Sequence, residues 1–527
     1  MCILSFALLM VGCDYNGRTK PNIIMIVADD LGFSDLGCYG GEIKTPNIDK
    51  LGYEGIRFTQ FYNGAVCFVS RASMLTGVFT RKEEEGFLKQ NMVTIGEVLQ
   101  DNEYFTILSG KWHLGEGKYS PNNRGFQEFY GSIAGAINYF DPSLPTNPPF
   151  LEHYHSAEQP FVHNGKVIDG VPPDYYSTDA ITDHAISQIT KSVNKDNPFF
   201  LHLAYNAPHY PLQALPEDIE KYKGHYDEGY TFHREKRYKN LVQLGIISPD
   251  WVLPVVDEGG DGELNYDRPV IPWNMIEDRD YEANKMEVYS AMVDRMDQNI
   301  GRLLNTIEQL GVDDNTLVLF FSDNGGCASL PRVERMEEYY QFNKGNEIGS
   351  KSSYEFCGPG WATVQSSPFR RYKVWTYEGG ISTPMIAYWK GKIKPGIVTR
   401  EVGHLVDILP TVLDITGIEY PSEYHGNKLL PLDGKSLFPT FISDDEYIGE
   451  ERELGWYLYG NRAYRKGNWK IVWGINKQRW ELYDMKRDRT EINDLSLKHP
   501  EIVNKLSEKW WVWVEQCNFQ REEIERW

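Results

Sequence analysis

The sequence has no excess of positive charge and no regular spacing of cysteines. Its 527 residues carry a formal net charge of −21. Nucleic acids and anionic membrane surfaces both require a basic face, so this charge argues against either as the main partner. An anionic small substrate stays compatible, because a few cations in a cleft outweigh distant surface acids that salt screens. The 7 cysteines lack paired spacing, and we expect neither a disulfide framework nor a cysteine-rich zinc site.

Long apolar runs are also missing, except at the N-terminus. Residues 1–12 are mostly apolar, too few to span a bilayer, and typical of a secretion signal. The segment Met10-Val-Gly-Cys13 resembles a bacterial lipobox, in which Cys13 carries the lipid anchor, although no Lys or Arg precedes the run. We therefore expect an exported protein, a periplasmic or cell-surface bacterial lipoprotein without a transmembrane helix. A buried N-terminal strand is the alternative interpretation.

Apolar runs of strand length occur at four places in the chain, and each predicts a buried strand of a parallel sheet. Polar residues follow every run. Because open α/β sheets bind ligands beyond the carboxyl ends of their strands, we expect these polar residues at a common edge. The runs and the residues after them are 21–28 with Asp29 and Asp30, 104–109 with Lys111 and His113, 198–205 with His209, and 315–322 with Asp323 and Asn324.

Apolar residues at three- and four-residue steps predict helices over 177–194, 286–310 and 403–417. Their Leu and Met stripes are typical of core packing rather than of a cofactor site. The segments 141–176 and 223–280 are rich in Pro, Asp and aromatic residues. They predict irregular insertions over the sheet edge, where substrate loops often lie.

The texture of the sequence changes after about residue 420. Several prolines and glycines form a connector, and short apolar runs with aromatic residues follow it. A last helical pattern begins near residue 500. This order predicts a small antiparallel sheet packed by a C-terminal helix. At 527 residues the chain is too long for one small core, so a large α/β domain plus this smaller one is expected.

Asp29, Asp30, Asp323 and Asn324 offer oxygen atoms at the ends of two predicted strands. A hard divalent cation prefers carboxylate and amide oxygens, so together they predict a metal site. Taken singly, an Asp-Asp pair after a strand is more often a turn or a helix cap. The lack of nearby Cys and His pairs disfavours zinc at this place.

Cys67 is followed after three residues by Arg71 and then by Ala-Ser-Met-Leu-Thr-Gly77. A helix is predicted to begin near Ser70, and a helix N-terminus stabilises negative charge. Considered alone, Cys67 could be a buried core cysteine or a thiolate favoured by Arg71. Arg71 alone could equally form a surface salt bridge.

The stretch from Asn63 to Gly77 resembles the active-site signature of the type I sulfatases. In that family the cysteine is oxidised to Cα-formylglycine. Gly110-Lys-Trp-His-Leu-Gly115 resembles the second signature, and the resemblance extends from Asn22 to about Leu495. It is strongest to bacterial arylsulfatases. Two further matching blocks are Ala207-Pro-His-Tyr-Pro-Leu212 and residues 368–384, which contain Lys373.

The resemblance implies an alkaline-phosphatase-like α/β fold. A large mixed sheet would be sandwiched by helices, and a smaller C-terminal domain would hold a short antiparallel sheet and a packed helix. The expected parts are a signal peptide with lipobox and tether over 1–20, a catalytic domain over 21–420, and the small subdomain over 421–527.

The resemblance further implies a sulfuric ester hydrolase that cleaves aryl or carbohydrate sulfate esters. One Ca²⁺ per chain would be bound, with Mg²⁺ as the open alternative. The partners would be a sulfated small molecule or glycan and a formylglycine-generating or anaerobic sulfatase-maturating enzyme. The implied roles are nucleophile for modified Cys67, anion or diol clamp for Arg71, charge neutralisation for Lys111 and Lys373, leaving-group acid for His209, assistance of sulfate release for His113, and metal ligation for Asp29, Asp30, Cys67, Asp323 and Asn324.

The sequence departs from the family pattern at Val69, where the family has Pro or Ala two residues after the cysteine. A β-branched residue changes the shape and stiffness of the segment that the maturation enzyme reads. Two alternatives stay open, and only the first of them rests on Val69. One is a catalytically silent lipoprotein that binds sulfated ligands. The other is a phosphodiesterase or phosphonate hydrolase, because sulfate and phosphate are both tetrahedral oxyanions.

Overall fold

The structure is a computed structural model that describes residues 20–79, 87–144, 148–151, 161–260, 266–443 and 451–525. The proposed signal and lipobox, with Cys13, lie outside the described residues. Over the ranges that are described, no helix is both long enough and apolar enough to cross a membrane. The cysteines in these ranges, Cys38, Cys67, Cys327, Cys357 and Cys517, are all free thiols.

A large mixed sheet forms the centre of the molecule, and a separate antiparallel sheet lies near the C-terminus. Within the described residues the strands are β1 (Asn22–Ala28), β2 (Ile56–Tyr62), β3 (Phe105–Gly110), β4 (Glu128–Ser132), β5 (Phe161–His163), β6 (Lys166–Val167), β7 (Phe199–Ala204), β8 (Thr316–Ser322), β9 (Ser382–Tyr388), β10 (Ile397–His404), β11 (Glu423–Tyr424), β12 (Asn427–Lys428), β13 (Glu453–Leu458), β14 (Asn461–Lys466), β15 (Trp469–Trp473) and β16 (Glu481–Asp484).

Helices cover both faces of the large sheet. In the part of the chain that the structure describes they are α1 (Pro46–Glu54), α2 (Cys67–Thr76), α3 (Ile95–Asp101), α4 (Ser177–Val193), α5 (Pro216–Ile219), α6 (Gly229–Gln243), α7 (Arg279–Gln309), α8 (Met336–Asn343), α9 (Gly358–Gln365), α10 (Glu378–Ile381), α11 (Ile408–Thr416), α12 (Phe438–Ile442), α13 (Pro500–Gln516) and α14 (Arg521–Glu525).

The large sheet has the order β10-β2-β9-β8-β1-β7-β3-β4-β5-β6. The strands β3, β7, β1 and β8 are parallel neighbours, so their carboxyl ends meet at one edge. Every residue of β1 is buried, as expected for a strand with helices on both faces. The mixed sheet, its helices and the small four-stranded sheet β13–β16 confirm the predicted fold class.

Three local predictions were wrong. The segment predicted as a helix from residue 403 starts as strand β10, which pairs with β2 through His404, and α11 begins only at Ile408. Helix α2 begins at Cys67 rather than near Ser70, because the Ser70 N–H already donates to the Val66 carbonyl. The supposedly irregular segment 223–280 contains α6, whose buried face includes His233, Arg234 and Arg237. Buried polar residues hide the apolar period on which the prediction relied.

A buried ion cluster joins the large sheet to the small one. Lys470 of β15 donates to Glu378 and to Glu491 at 2.8 Å each, and all three side chains are shielded from solvent. Glu378 also accepts from Arg489 at 2.6 Å and from the Tyr62 hydroxyl of β2 at 2.9 Å. Burial alone would raise the pKa of Glu378, but the Lys470 and Arg489 cations lower it to about 2.

Removing the central cation of this cluster should destabilise the fold. We expect Lys470→Met to cost about 3–5 kcal/mol of unfolding free energy, because two buried carboxylates lose a partner. The measurement is the chemical denaturation midpoint. The matched control is Lys466→Met, whose partner Glu453 lies at the protein surface, and it should change the midpoint far less. Equal effects of the two variants would contradict a structural role for the cluster.

Candidate active site

The carboxyl edge of the large sheet gathers the residues that the sequence singled out. Asp29 and Asp30 follow β1, Asp323 and Asn324 follow β8, and all four are buried. Lys111 follows β3 directly, and His209 lies five residues beyond β7. Two further residues come from outside the sheet: Cys67 opens α2, and Lys373 lies between α9 and α10.

Each buried carboxylate at this edge has a cationic partner. The Lys111 ammonium contacts one oxygen of Asp29. The Lys373 ammonium lies 2.5 Å from Oδ1 of Asp30. Burial by itself would raise the pKa of Asp30, and Lys373 instead holds that pKa below its usual range. Lys373 therefore keeps Asp30 ionised, whereas burial raises the pKa of Asp29 to about 7 even though the Lys111 cation opposes that effect.

Arg71 is the cation that pairs with the third carboxylate. Its Nε and Nη2 lie 2.9 and 2.8 Å from Oδ2 of Asp323, and its Nη1 donates to the Lys111 carbonyl at 2.9 Å. Both side chains are almost completely buried. The sequence left open an anion clamp or a surface salt bridge for Arg71. The structure places its guanidinium in a buried ion pair that fixes Asp323 and the start of the Lys111 loop.

The ion pairs with Lys111 and Lys373 engage only one carboxylate oxygen of Asp29 and one of Asp30. Oδ1 of Asp29, Oδ2 of Asp30 and Oδ1 of Asn324 are buried and accept no hydrogen bond. The amide nitrogen of Asn324 donates to Oδ1 of Asp30 at 2.6 Å, which orients the amide oxygen away from that bond. Buried oxygens without a donor are costly unless a cation binds them. This donor set fits a hard divalent cation, and it contains no thiolate.

Cys67 is the first residue of α2 and is buried beside these charges. Its Sγ lies 3.3 Å from Nδ1 of His113. Burial raises the pKa of the Cys67 thiol, and Lys111 and Lys373 oppose that effect. An unmodified Cys67 is therefore a neutral thiol at neutral pH rather than an activated thiolate.

His209 faces the same group from the loop after β7. Its Nδ1–H donates to the Tyr210 carbonyl at 2.6 Å, so Nε2 is the nitrogen that faces Asp30 Oδ2, at 3.5 Å. Burial lowers the pKa of His209 well below its ordinary value, while Asp30 acts in the opposite sense. At neutral pH the imidazole is therefore uncharged, with its proton on Nδ1.

The backbone is unusual at three of these positions. Asp30, His113 and Val374 have φ values of 67°, 59° and 80°. Such left-handed conformations cost on the order of 1–3 kcal/mol for a side-chain-bearing residue, and most for a β-branched one. At these turns the His113 side chain contacts Cys67, and the side chain of Lys373, next to Val374, contacts Asp30.

Sequence reasoning missed residues, distant in the chain, that hold the Cys67 loop and the His209 loop in place. Trp456 of β13 donates from Nε1 to the Asn63 carbonyl at 2.8 Å, across 393 positions of the chain. The Val374 N–H donates to the Ala65 carbonyl at 2.7 Å. The Tyr139 hydroxyl donates to the His209 carbonyl at 2.8 Å. Such long-range bonds leave no spacing pattern in a single sequence, so no signal pointed to them.

Comparison with known proteins agrees with this geometry. The Sulfatase family model matches residues 21–418, and the C-terminal model of N-sulphoglucosamine sulphohydrolase matches residues 371–516. An uncharacterised sulfatase of Schizosaccharomyces pombe is 34% identical and covers 94% of this chain and 93% of its own length. The arylsulfatase of Klebsiella aerogenes is 32% identical and covers 83% and 95%.

Among solved structures, Ps i-CgsB in complex with k-i-k-neocarrahexaose superposes with a TM-score of 0.66. It is 27% identical to this chain, and the match covers 94% of this chain and 93% of that one. The matched family model covers most of the chain and all of the residues gathered at the sheet edge. The chain therefore belongs to the type I sulfatases, enzymes that hydrolyse sulfate esters.

Proposed function

We propose that this sulfatase cleaves aryl or carbohydrate sulfate esters with a formylglycine made from Cys67 and a bound Ca²⁺. The observation that carries the proposal is the set of buried oxygens on Asp29, Asp30 and Asn324 that accept no hydrogen bond. They lie at the same sheet edge as the lysines and histidines of the sulfatase signatures. A silent binding protein would have no need to bury this arrangement at the cost that unpaired oxygens carry.

The metal would be held by Asp29, Asp30, Asp323 and Asn324, together with the modified residue 67. When bound, the cation would polarise an oxygen and lower its pKa. Lys111 and Lys373 would bind sulfuryl oxygens and neutralise charge that develops there. Arg71 acts through Asp323, which it holds in place, so we assign it a positioning role instead of the predicted clamp.

Hydrated formylglycine would supply two hydroxyl groups at position 67, one to attack sulfur and one to restore the aldehyde. His209 would protonate the departing alcohol or phenol oxygen from Nε2, which must first take up a proton because the proton of the neutral ring is on Nδ1 and bonded to the Tyr210 carbonyl. His113 would take a proton at residue 67 and so assist sulfate release. Its Nδ1 already lies 3.3 Å from the Cys67 sulfur.

Carbohydrate sulfates are the substrate class that we favour. Ps i-CgsB, one of the structural relatives, was solved with k-i-k-neocarrahexaose, which is an oligosaccharide. Phosphate esters are the competing class, because Lys111 and Lys373 bind tetrahedral oxyanions of either kind. A panel of sulfated and phosphorylated sugars, assayed for released sulfate and phosphate, separates these classes. Faster release of phosphate would overturn the sulfatase assignment for the natural substrate.

The proposed cell biology concerns residues outside the described ranges. An exported lipoprotein anchored at Cys13 would meet sulfated glycans outside the cytoplasm.

The modification of Cys67 would come from a formylglycine-generating or anaerobic sulfatase-maturating enzyme. In the folded chain Cys67 is buried, consistent with a modification that precedes folding.

Measuring the conversion of Cys67 to formylglycine tests whether Val69 is compatible with that modification. Val69 is the third residue of α2, is half-buried and packs over Gly64, so the fold accommodates it. We expect mass spectrometry of the tryptic peptide Phe58–Arg71 to find aldehyde in protein made with a maturation enzyme. Val69→Ala should raise the converted fraction, because it restores a residue that the family uses.

Cys67→Ala is the matched negative control and should yield neither aldehyde nor activity. The formylglycine mechanism would be contradicted if Cys67 stayed an intact thiol in both the parent chain and Val69→Ala under conditions that convert a known sulfatase. The silent binding protein would then be the better interpretation.

The proposed metal site predicts a selective loss of cation binding. Asp29→Asn should weaken Ca²⁺ binding at least about 10-fold, measured by calorimetry on chelator-treated protein, and should abolish turnover. Asp407→Asn is the matched control, because Asp407 is equally buried but pairs with Arg452, a residue outside the proposed site. It should lower stability and retain Ca²⁺ affinity. Unchanged Ca²⁺ affinity in Asp29→Asn would contradict the site, and repeating the titration with Mg²⁺ decides between the two ions.

The role proposed for His113 predicts a change in the kinetics. In His113→Ala the first turnover should be fast and later turnovers slow, because sulfate release loses its base. Stopped-flow assay of a chromogenic aryl sulfate would then detect a burst of about one phenol per converted site. His209→Ala should slow the burst itself. A His113→Ala enzyme that is slow from the first turnover would instead place His113 before departure of the leaving group.

A further inference from the structure

A second cluster of metal-binding side chains lies at the far edge of the large sheet. Glu128 of β4, His163 of β5 and His184 of α4 each contribute one ligand atom, and these atoms lie within 4.8 Å of one another. None of these residues belongs to the sulfatase signatures or to the mechanism above. Three separate elements of secondary structure bring them together.

His184 is oriented for binding through Nε2. Its Nδ1 is hydrogen-bonded to the Ser109 hydroxyl at 2.7 Å, and its Nε2 is buried without a hydrogen-bond partner. The Tyr130 ring stacks on the imidazole at 5.2 Å between centroids. Metal-ligating histidines commonly donate their other N–H to such an oxygen, which fixes the tautomer.

Glu128 and His163 complete the cluster from the neighbouring strands. Nε2 of His163 lies 3.8 Å from Oε2 of Glu128, and the rings of His163 and His184 are 5.5 Å apart. The Asn164 amide donates to Oε2 of Glu128 at 2.8 Å, and its own oxygen accepts from the Phe129 N–H at 2.8 Å. The carboxylate is thus oriented by an outer partner, as the imidazole of His184 is by Ser109.

The spacing fits a small tetrahedral ion. Zinc binds nitrogen and carboxylate oxygen at about 2.0–2.2 Å, which puts neighbouring ligand atoms roughly 3.3 Å apart. Nε2 of His163 and Oε2 of Glu128 are 3.8 Å apart, and no two of the three ligand atoms are more than 4.8 Å apart. The side chain of His163 is 49% exposed and that of Glu128 is 26% exposed, so both have room to close on His184, which is held by Ser109 and Tyr130.

We propose that Glu128, His163 and His184 form a second metal site that binds Zn²⁺. Two imidazoles and one carboxylate favour zinc over Ca²⁺ or Mg²⁺, which prefer oxygen-only sites. Three protein ligands leave the fourth tetrahedral position for water. The site is independent of the proposed sulfatase mechanism. It would tie the β5–β6 hairpin, at the end of the large sheet, to helix α4, and zinc binding would therefore stabilise the fold.

The test compares variants of exposed histidines in the full-length, chelator-treated protein. His163→Ala removes a ligand, and His225→Ala removes an exposed histidine from the turn before α6 as a matched control. Zn²⁺ should bind to the parent chain and to His225→Ala and should raise their melting temperature. His163→Ala and Glu128→Gln should bind Zn²⁺ at least about 10-fold more weakly. Co²⁺ should give the visible absorption of a tetrahedral site only where His163 is present.

The outcomes decide between this site and others. Zinc affinity and thermal shift that are equal in the parent and in His163→Ala would overturn the proposal. If Asp29→Asn removed the zinc and His163→Ala did not, the ion would belong to the active site. Equal melting temperatures of the metal-free variants would show that His163→Ala folds normally, so a loss of zinc binding could not be attributed to misfolding.

Discussion

Burial of three carboxylates at one end of the large sheet is the constraint on which the rest of the structure depends. Asp29, Asp30 and Asp323 are at most 1% exposed. Like charges that are so close and so dry cannot all stay ionised without compensation. Lys111, Lys373 and Arg71 each neutralise one of them. The group is then close to neutral, and a divalent cation bound there would make it positive.

The strand register of the large sheet keeps these carboxylates in position. Parallel pairing of β1 with β7 and β8 fixes how far each strand end projects, and the pairs Val27 with Ala204 and Ala28 with Ser322 are the last in register. A slip of one residue would turn Asp29 to the other face of the sheet. Strand β1 is fully buried and is apolar after Asn22, so it resists such a slip. That stability supports the unfavourable backbone conformation of Asp30, whose φ of 67° directs the chain away from the strand.

The sequence predicted the sheet edge well because two physical signals coincided there. Apolar runs marked β1, β3, β7 and β8 to within a residue or two, and parallel strands necessarily share a carboxyl edge. Helix α6 was not predicted because its buried Arg237 pairs with Asp35 and Glu42, so polar residues occupy its buried face. The ion cluster around Lys470 was not predicted for the same reason. A buried ion pair looks like surface charge until its partner, distant in the chain, is known.

The small C-terminal sheet contributes to the geometry of residue 67. Glu378 ties Lys470 of that sheet to Tyr62, the last residue of β2. Asn63 follows, and its carbonyl is held by Trp456 while its side chain accepts from the Ala65 N–H at 2.7 Å. The loop that ends at Cys67 is thus anchored on both sheets. The two matched family models overlap over residues 371–418, which contain Glu378. A boundary near residue 420 stays a prediction about the chain. The ion cluster crosses it, so the loop that ends at Cys67 and the small sheet should lose their structure together.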